Sequence, residues 1–304
     1  NLLEGEIWFN STSGTLKVSP LVAGSWASGG NLTTARRNLG GAGIQTAALA
    51  IGGEAPQTGK TESYDGSTWS EVGDLNTARN TLGATGTQTA AIAFGGESVT
   101  TATETWDGSS WTTSPNSLNT AVRSNAGFGT TAAAVAFGGL ASPGARTTVT
   151  ETWNGSAWAT SPNSLPAATS NMGGFGISTA GVECSGEAVP GKTAVTSEWD
   201  GSAWASGGAM ITARSRMGAG IGTQTDGVVA GGDIPAITAT AEIYNGTTWA
   251  ATGSLGTARG SLAGLGPSSV SSDGLVSGGY DGSDTNATEE FTGAAATAQT
   301  ITTS

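Results

Sequence analysis

No histidine occurs anywhere in the 304 residues, and that gap removes more chemistry than any other feature of the sequence. Without imidazole there is no Ser-His-Asp or Cys-His nucleophile, and most zinc, copper and iron sites are excluded. Cysteine occurs once, as Cys184, so no internal disulfide can form and an oxidising compartment is neither required nor ruled out. Charge is scarce: 11% of residues are charged, against roughly 25% in an average globular protein. The 11 basic residues face 23 acidic ones, for a net charge of -12. Such a surface repels phosphate backbones and anionic lipid, so nucleic acid is not an expected partner. No apolar run reaches the roughly 18 residues that a membrane helix needs, so no membrane insertion is expected. The opening NLLEGEIWF has neither the basic start of a signal peptide nor an initiator Met, as expected of a processed chain or a fragment of a longer one.

Glycine, by contrast, is abundant, with 50 residues. Low charge and high glycine are compatible with disorder, but ten tryptophans and regularly placed apolar runs are not. The regularity is a repeat. A segment ending in tryptophan recurs at Trp26, Trp69, Trp111, Trp158, Trp204 and Trp249, and a glycine pair recurs at 52–53, 95–96, 138–139, 231–232 and 278–279. The fourth copy has Ser185-Gly186 in place of the pair, which makes six copies.

Each copy reads as four short strands: one after a T-A-R segment, an apolar one ending in GG, one like TATETW, and one opening on tryptophan. The last two are joined by Asp-Gly or Asn-Gly, as in YDGSTW, WDGSSW, WNGSAW and YNGTTW. Read as two-residue turns with both central residues at positive φ, these joints set Trp106 opposite Ser109 and Glu104 opposite Trp111. The two aromatics of a copy then share a face but lie diagonally apart. No long 3.6-residue periodicity exists, so the expected fold is all-β: a six-bladed β-propeller of four antiparallel strands per blade. Residues 1–20 are expected to form an N-terminal hairpin or attachment segment, residues 21–293 the propeller and residues 294–304 a tail. Trp26 is a fourth-strand tryptophan without its first three strands, and the last copy ends at Phe291 without a tryptophan. The N-terminal GSW strand is therefore expected to close the ring, with the 294–304 segment as the alternative.

The glycine pair followed by an aromatic hairpin resembles the kelch repeat over roughly residues 24–293. Four residues separate the paired aromatics here (Tyr64 to Trp69), where kelch repeats usually place about six, so the chain is a shortened, kelch-like variant. The segment EGEIWFNSTSGTLKV (4–18) resembles short modules of phage tail-fibre and other virion proteins, and the Gly/Ser/Thr/Ala-rich repeats resemble marine phage structural proteins. These resemblances imply a non-enzymatic structural or adhesive module of a virion. Its implied partners are other virion proteins or host-surface carbohydrate, with a homo-oligomer as an option. The alternative is a secreted or cell-surface bacterial adhesin.

Several residues invite a chemical role. GEAVPGKT (186–193) satisfies the phosphate-loop pattern G-x-x-x-x-G-K-[ST], but TAVTSEWDG follows it, a strand and turn where a phosphate loop must open a helix. The first copy carries the same GKT ending (59–61) one residue later, so the motif reads as a variable loop between the second and third strands. Arginines precede the first strand at Arg36, Arg79, Arg123, Arg214 and Arg259, and glutamates open the third at Glu62, Glu104, Glu151, Glu242 and Glu289, with Glu198 displaced by one. The expectation is that each arginine pairs with a glutamate and ties blades together, with a ring of arginines binding an anionic sugar or metabolite as the alternative. Asp281, Asp284 and Asn286 offer oxygen ligands for Ca²⁺, without the terminal glutamate spacing of an EF-hand. Cys184 stands where sister copies have Phe94 and Phe137, so it reads as a buried apolar residue. No catalytic residue, cofactor or firm metal site is assigned, since kelch-type copper oxidases need histidine and no unrepeated carboxylate pair stands out. The second-to-third-strand loops (54–60, 97–101, 140–148, 187–193, 233–239 and 280–287) vary most and form the expected recognition face.

Overall fold

The computed structural model describes residues 7–10, 15–18, 24–54, 56–217, 220–264, 273–293 and 299–300. Six four-stranded antiparallel sheets are arranged around an axis as a β-propeller. Blade 1 runs Gly40–Ile44, Ala47–Ile51, Thr61–Tyr64 and Trp69–Glu71 from the axis outward, and blade 2 Gly83–Thr87, Ala90–Phe94, Thr103–Trp106 and Trp111–Thr113. Blades 3, 4 and 5 repeat the order with outer strands Trp158–Thr160, Trp204–Ser206 and Trp249–Thr252. Blade 6 takes Ala263–Gly264, Asp273–Ser277 and Thr288–Thr292 from the C-terminal end and its outer strand, Ser25–Ser28, from the N-terminal end. The ring is thus closed by the N-terminal strand. Outside it, Ile7–Asn10 pairs with Thr15–Val18, and that hairpin gains a third strand from Gln299–Thr300. The remainder of the 294–304 segment lies outside the described residues.

The hairpin between third and fourth strands departs from the register expected above. Trp106 lies directly opposite Trp111 and Glu104 opposite Thr113, so four residues form the turn. The reason is an aspartate, not a pair of positive-φ residues. Asp107 Oδ1 accepts hydrogen bonds from the Ser109 and Ser110 N–H groups, both 2.8 Å long, and only Gly108 adopts positive φ (97°). The side chain substitutes for backbone in closing the turn. Asp65, Asn154, Asp200 and Asn245 do the same in their blades. The consequence is that the two aromatics become direct cross-strand neighbours, with Trp106 and Trp111 ring centroids 5.5 Å apart and Tyr64 and Trp69 4.8 Å apart. Both are buried between blades, where such tilted pairs add to area burial.

Each outer-strand tryptophan also reaches the preceding blade. The indole N–H groups of Trp69, Trp111, Trp158, Trp204 and Trp249 donate to the hydroxyls of Thr288, Thr61, Thr103, Thr150 and Thr196 at 2.9–3.0 Å. The sixth joint is broken. The residue that should accept from Trp26 is Ala241, and Trp26 Nε1 is buried without a partner among the described residues. An unpaired buried donor costs about 1–3 kcal/mol. Ala241→Thr restores the hydroxyl found in the five sister blades and should raise stability by about 1 kcal/mol. Urea denaturation checks this, and an unchanged or lower midpoint would refute it.

Candidate functional site

Two closed circuits of backbone hydrogen bonds define the end of the ring where the second-to-third-strand loops gather. In the first, the N–H of each second repeat glycine donates to the next blade: Gly53 to Arg79, Gly96 to Val122, Gly139 to Thr169, Gly186 to Arg214, Gly232 to Arg259 and Gly279 to Arg36, all at 2.8–3.1 Å. This explains the glycine pair. Gly52 sits at φ +63°, and a Cβ there would lie 2.5 Å from the Arg79 carbonyl oxygen. Blade 4 places Ser185 at the same left-handed geometry (φ 60°), with its hydroxyl 2.7 Å from the Thr193 and Arg214 carbonyl oxygens.

The second circuit lies closer to the axis. Asn38 N–H donates to Ser261 O, Ser261 to Arg216, Arg216 to Asn171, Asn171 to Ser124, Ser124 to Thr81 and Thr81 to Asn38, at 2.7–3.0 Å. All six residues hold left-handed backbone, φ 51–56°, which is uncommon outside glycine and costly for a β-branched residue such as Thr81. Their side chains form a throat. Above it opens a funnel of about 680 Å³, and below it lies an axial chamber of about 90 Å³ walled by Leu39, Leu82, Met172, Met217 and Leu262. In that tier the third blade has Asn125, a buried amide whose nitrogen and oxygen both lack partners among the described residues.

The funnel wall is polar and its charges are matched. Arg37 faces Glu54 at 3.3 Å and Asp284 at 3.4 Å, Arg123 faces Glu97 at 2.8 Å, Arg146 faces Glu187 at 3.1 Å and Arg216 faces Asp233 at 3.5 Å. The Asn38 amide and then Arg37 hold the Glu54 carboxyl below its usual range, against some desolvation. Arg216 is the most open of these cations, with its side chain 55% exposed. Arg37 also lies over the Tyr280 ring, 5.1 Å from its centroid. The GEAVPGKT segment is one of the loops at this rim: Glu187 bridges to Ser170, the Lys192 ammonium donates to the Ile234 carbonyl of the next blade, and the strand Thr196–Trp199 follows. No helix opens there. Residue 55, in the 54–60 loop, lies outside the described residues.

The arginines singled out from sequence fall into two groups. Arg36, Arg79, Arg214 and Arg259 are 0–1% exposed and pair with Glu62, Glu104, Glu242 and Glu289. Arg79 shows the pattern: it donates to Glu104 at 3.0 Å and to the Gly95 and Ala102 carbonyls, while Glu104 accepts from the Asn76 N–H at 2.7 Å. The pair therefore knits the entering loop to the second and third strands of its own blade, where a tie between blades was expected. Arg123 does not pair with Glu151. Counted from Leu118 it stands one place later than Arg79 stands from Leu75, and Val122 takes the buried position. Glu151 accepts instead from the Asn119 and Thr120 N–H groups, both at 2.8 Å. Counting from the leucine, not from the T-A-R motif, separates the two arginine classes in the sequence. It also picks out Arg37, which stands after Leu32 as Arg123 does after Leu118; Arg216, one place further on from Met210, was passed over as well.

Blade 4 replaces the pair altogether. Thr169 and Ser197 occupy the arginine and glutamate positions, and Glu183 stands where Ala50, Ala93, Ala136, Val229 and Val276 stand elsewhere. Glu183 is 2% exposed. Burial pushes its carboxyl up to about 8, against the opposing pull of the Ser197 and Thr169 hydroxyls. Next to it Cys184 is fully buried, and burial pushes its thiol up. Glu198 is not a displaced member of the buried set, since it faces the adjacent blade and accepts from the Tyr244 hydroxyl.

Asp281, Asp284 and Asn286 turn to separate partners. Asp281 accepts from the Ser283 N–H at 3.2 Å, Asp284 faces Arg37, and the Asn286 amide donates to the Leu32 carbonyl at 3.0 Å. Among the described residues no three His, Cys, Asp or Glu side chains converge on a point.

With this geometry in place, comparison with known proteins adds the fold alone. No family model matches the chain, and no curated protein matches it. The solved structure of YjhT is similar to it, with a TM-score of 0.71 over 86% of this chain and 96% of that one, at 12% identity.

Two outcomes test the charge assignments. Arg79→Met strands the buried Glu104 and should cost about 3–5 kcal/mol, whereas Arg123→Met, at a rim pair, should cost about 1 kcal/mol or less. Equal losses in guanidinium denaturation would refute the distinction. For Glu183, the folded-state value is raised above the 4.5 of a free glutamate. Its stabilising contribution is therefore full below pH 4.5 and is lost as pH rises to about 8, at about 1.4 kcal/mol per pH unit. Glu183→Gln should remove that slope, measured as the difference between wild-type and variant urea midpoints across the window.

Proposed function

We propose that the chain is a non-enzymatic, kelch-like propeller module of a phage virion, a tail fibre or appendage. It would hold a host-surface glycan or another virion protein on the face built by the second-to-third-strand loops. The observation that carries this reading is the contrast between ring and rim. The ring is a repeated scaffold joined by backbone circuits, while loops of varied sequence gather at one end and four of them line one polar funnel of about 680 Å³. Binding function in such scaffolds belongs to loops held by a rigid frame. The absence of histidine and the pairing of the rim charges support binding over turnover. The glycine pair and aromatic hairpin support the kelch-like assignment, and the 4–18 segment supports the virion setting.

Mass spectrometry of purified virions tests the setting: the chain should be recovered with the particle. Recovery only from a bacterial envelope or secreted fraction would replace the virion module with a bacterial adhesin. A glycan array tests the activity, and release of cleaved product from a retained glycan would sink the non-enzymatic reading.

A further inference from the structure

Resting on that recognition face, we infer that the throat of the funnel is the ligand-contacting site and that it takes a neutral, hydroxyl-bearing group, the end of a saccharide. The argument begins with what the second backbone circuit leaves over. It consumes one N–H and one C=O of each of Asn38, Thr81, Ser124, Asn171, Arg216 and Ser261. Those six residues present their side chains to the axis, on backbone locked in a sparsely populated conformation. Strain that the surrounding structure over-determines is a reason to look for a use.

Three of the six side chains already have work. The Asn38 amide donates to Glu54 at 2.9 Å, the Thr81 hydroxyl to its neighbour's carbonyl at 2.7 Å, and Arg216 faces Asp233. Ser124, Asn171 and Ser261 have no side-chain hydrogen bond to the described residues, yet all three line the funnel. Two hydroxyls and a carboxamide, each able to donate and accept, thus face one axis on a preorganised floor. Hydroxyl groups of a sugar are donors and acceptors in the same way.

Charge decides against an acidic ligand. The arginines with an ordinary place in the repeat are buried, each already paired with a glutamate and closed off from the funnel. The rim arginines Arg37, Arg123, Arg146 and Arg216 each face a carboxylate. A carboxylate or phosphate entering the funnel would displace an existing partner instead of meeting a free cation. Tyr280, partly exposed with Arg37 over one side of its ring, adds a surface on which a sugar ring can stack.

The test uses the whole chain and four free sugars as probes: glucose, galactose, N-acetylglucosamine and glucuronic acid, read by saturation-transfer NMR. At least one neutral sugar should bind the wild type, more tightly than glucuronic acid. Asn171→Ala and Ser124→Ala should each weaken it about tenfold, with the cooperative thermal transition kept and its midpoint lowered only slightly, by the poorer fit of alanine to the left-handed backbone. Three results would overturn the site: no neutral sugar bound, tighter binding of glucuronic acid, or unchanged affinity in both variants. Unchanged affinity in these variants together with loss on replacing 234–237 by Gly and Ser would overturn the throat while keeping the recognition face. Virion recovery stands or falls on its own measurement.

Discussion

Everything in this molecule hangs on backbone hydrogen bonds that cross from one blade to the next near the axis. Six run from the second repeat glycine to the carbonyl at the buried arginine position, and six more link the left-handed residues of the throat. Both circuits close on themselves, because the sixth blade donates back to Arg36 and accepts back from Asn38. Main-chain groups that approach the axis so closely would otherwise be buried without partners, at a cost comparable to a lost hydrogen bond each. The glycine pair follows from this, since a side chain at the first glycine would strike the neighbouring carbonyl.

Because the joints are made by backbone, side chains around them are free to differ. Arg79 and Glu104 form a buried pair in one blade, Val122 leaves Glu151 to the loop amides in the next, and the fourth blade substitutes a buried acid flanked by hydroxyls. All three arrangements leave the Gly-to-carbonyl bond in place. A buried ion pair need not be the source of stability; what matters is that no member is left unpaired. The same freedom operates at the rim, where loops vary without disturbing the frame that holds them.

Much of the architecture was legible in the sequence because a repeat displays its own constraints several times over. Six tryptophans and five glycine pairs specified six blades, and the stranded GSW segment at one end pointed to the way the ring closes. The errors came from positions where one residue does backbone work. Asp107 read as half of a two-residue turn, yet its carboxylate closes a four-residue one, which moves Trp111 from diagonal to opposite. Arg123 read as a sister of Arg79, yet an inserted register of one residue puts it on the rim with Glu97. The throat residues Asn38, Thr81, Ser124, Asn171, Arg216 and Ser261 are of four residue types, so no single residue type announces their common conformation.

The sequence alone determined the class of fold, the number of blades and the absence of imidazole chemistry, because periodicity, turn residues and composition are local properties. Only the tertiary structure decided which cations are buried and which face the funnel, that Trp26 lacks the acceptor its sisters have, and that six dissimilar residues form one throat. Those facts depend on distances between segments as far apart as Asn38 and Ser261, joined by a hydrogen bond of 2.8 Å. Contacts of that kind arise when the ring closes, and no stretch of the chain contains both of their partners.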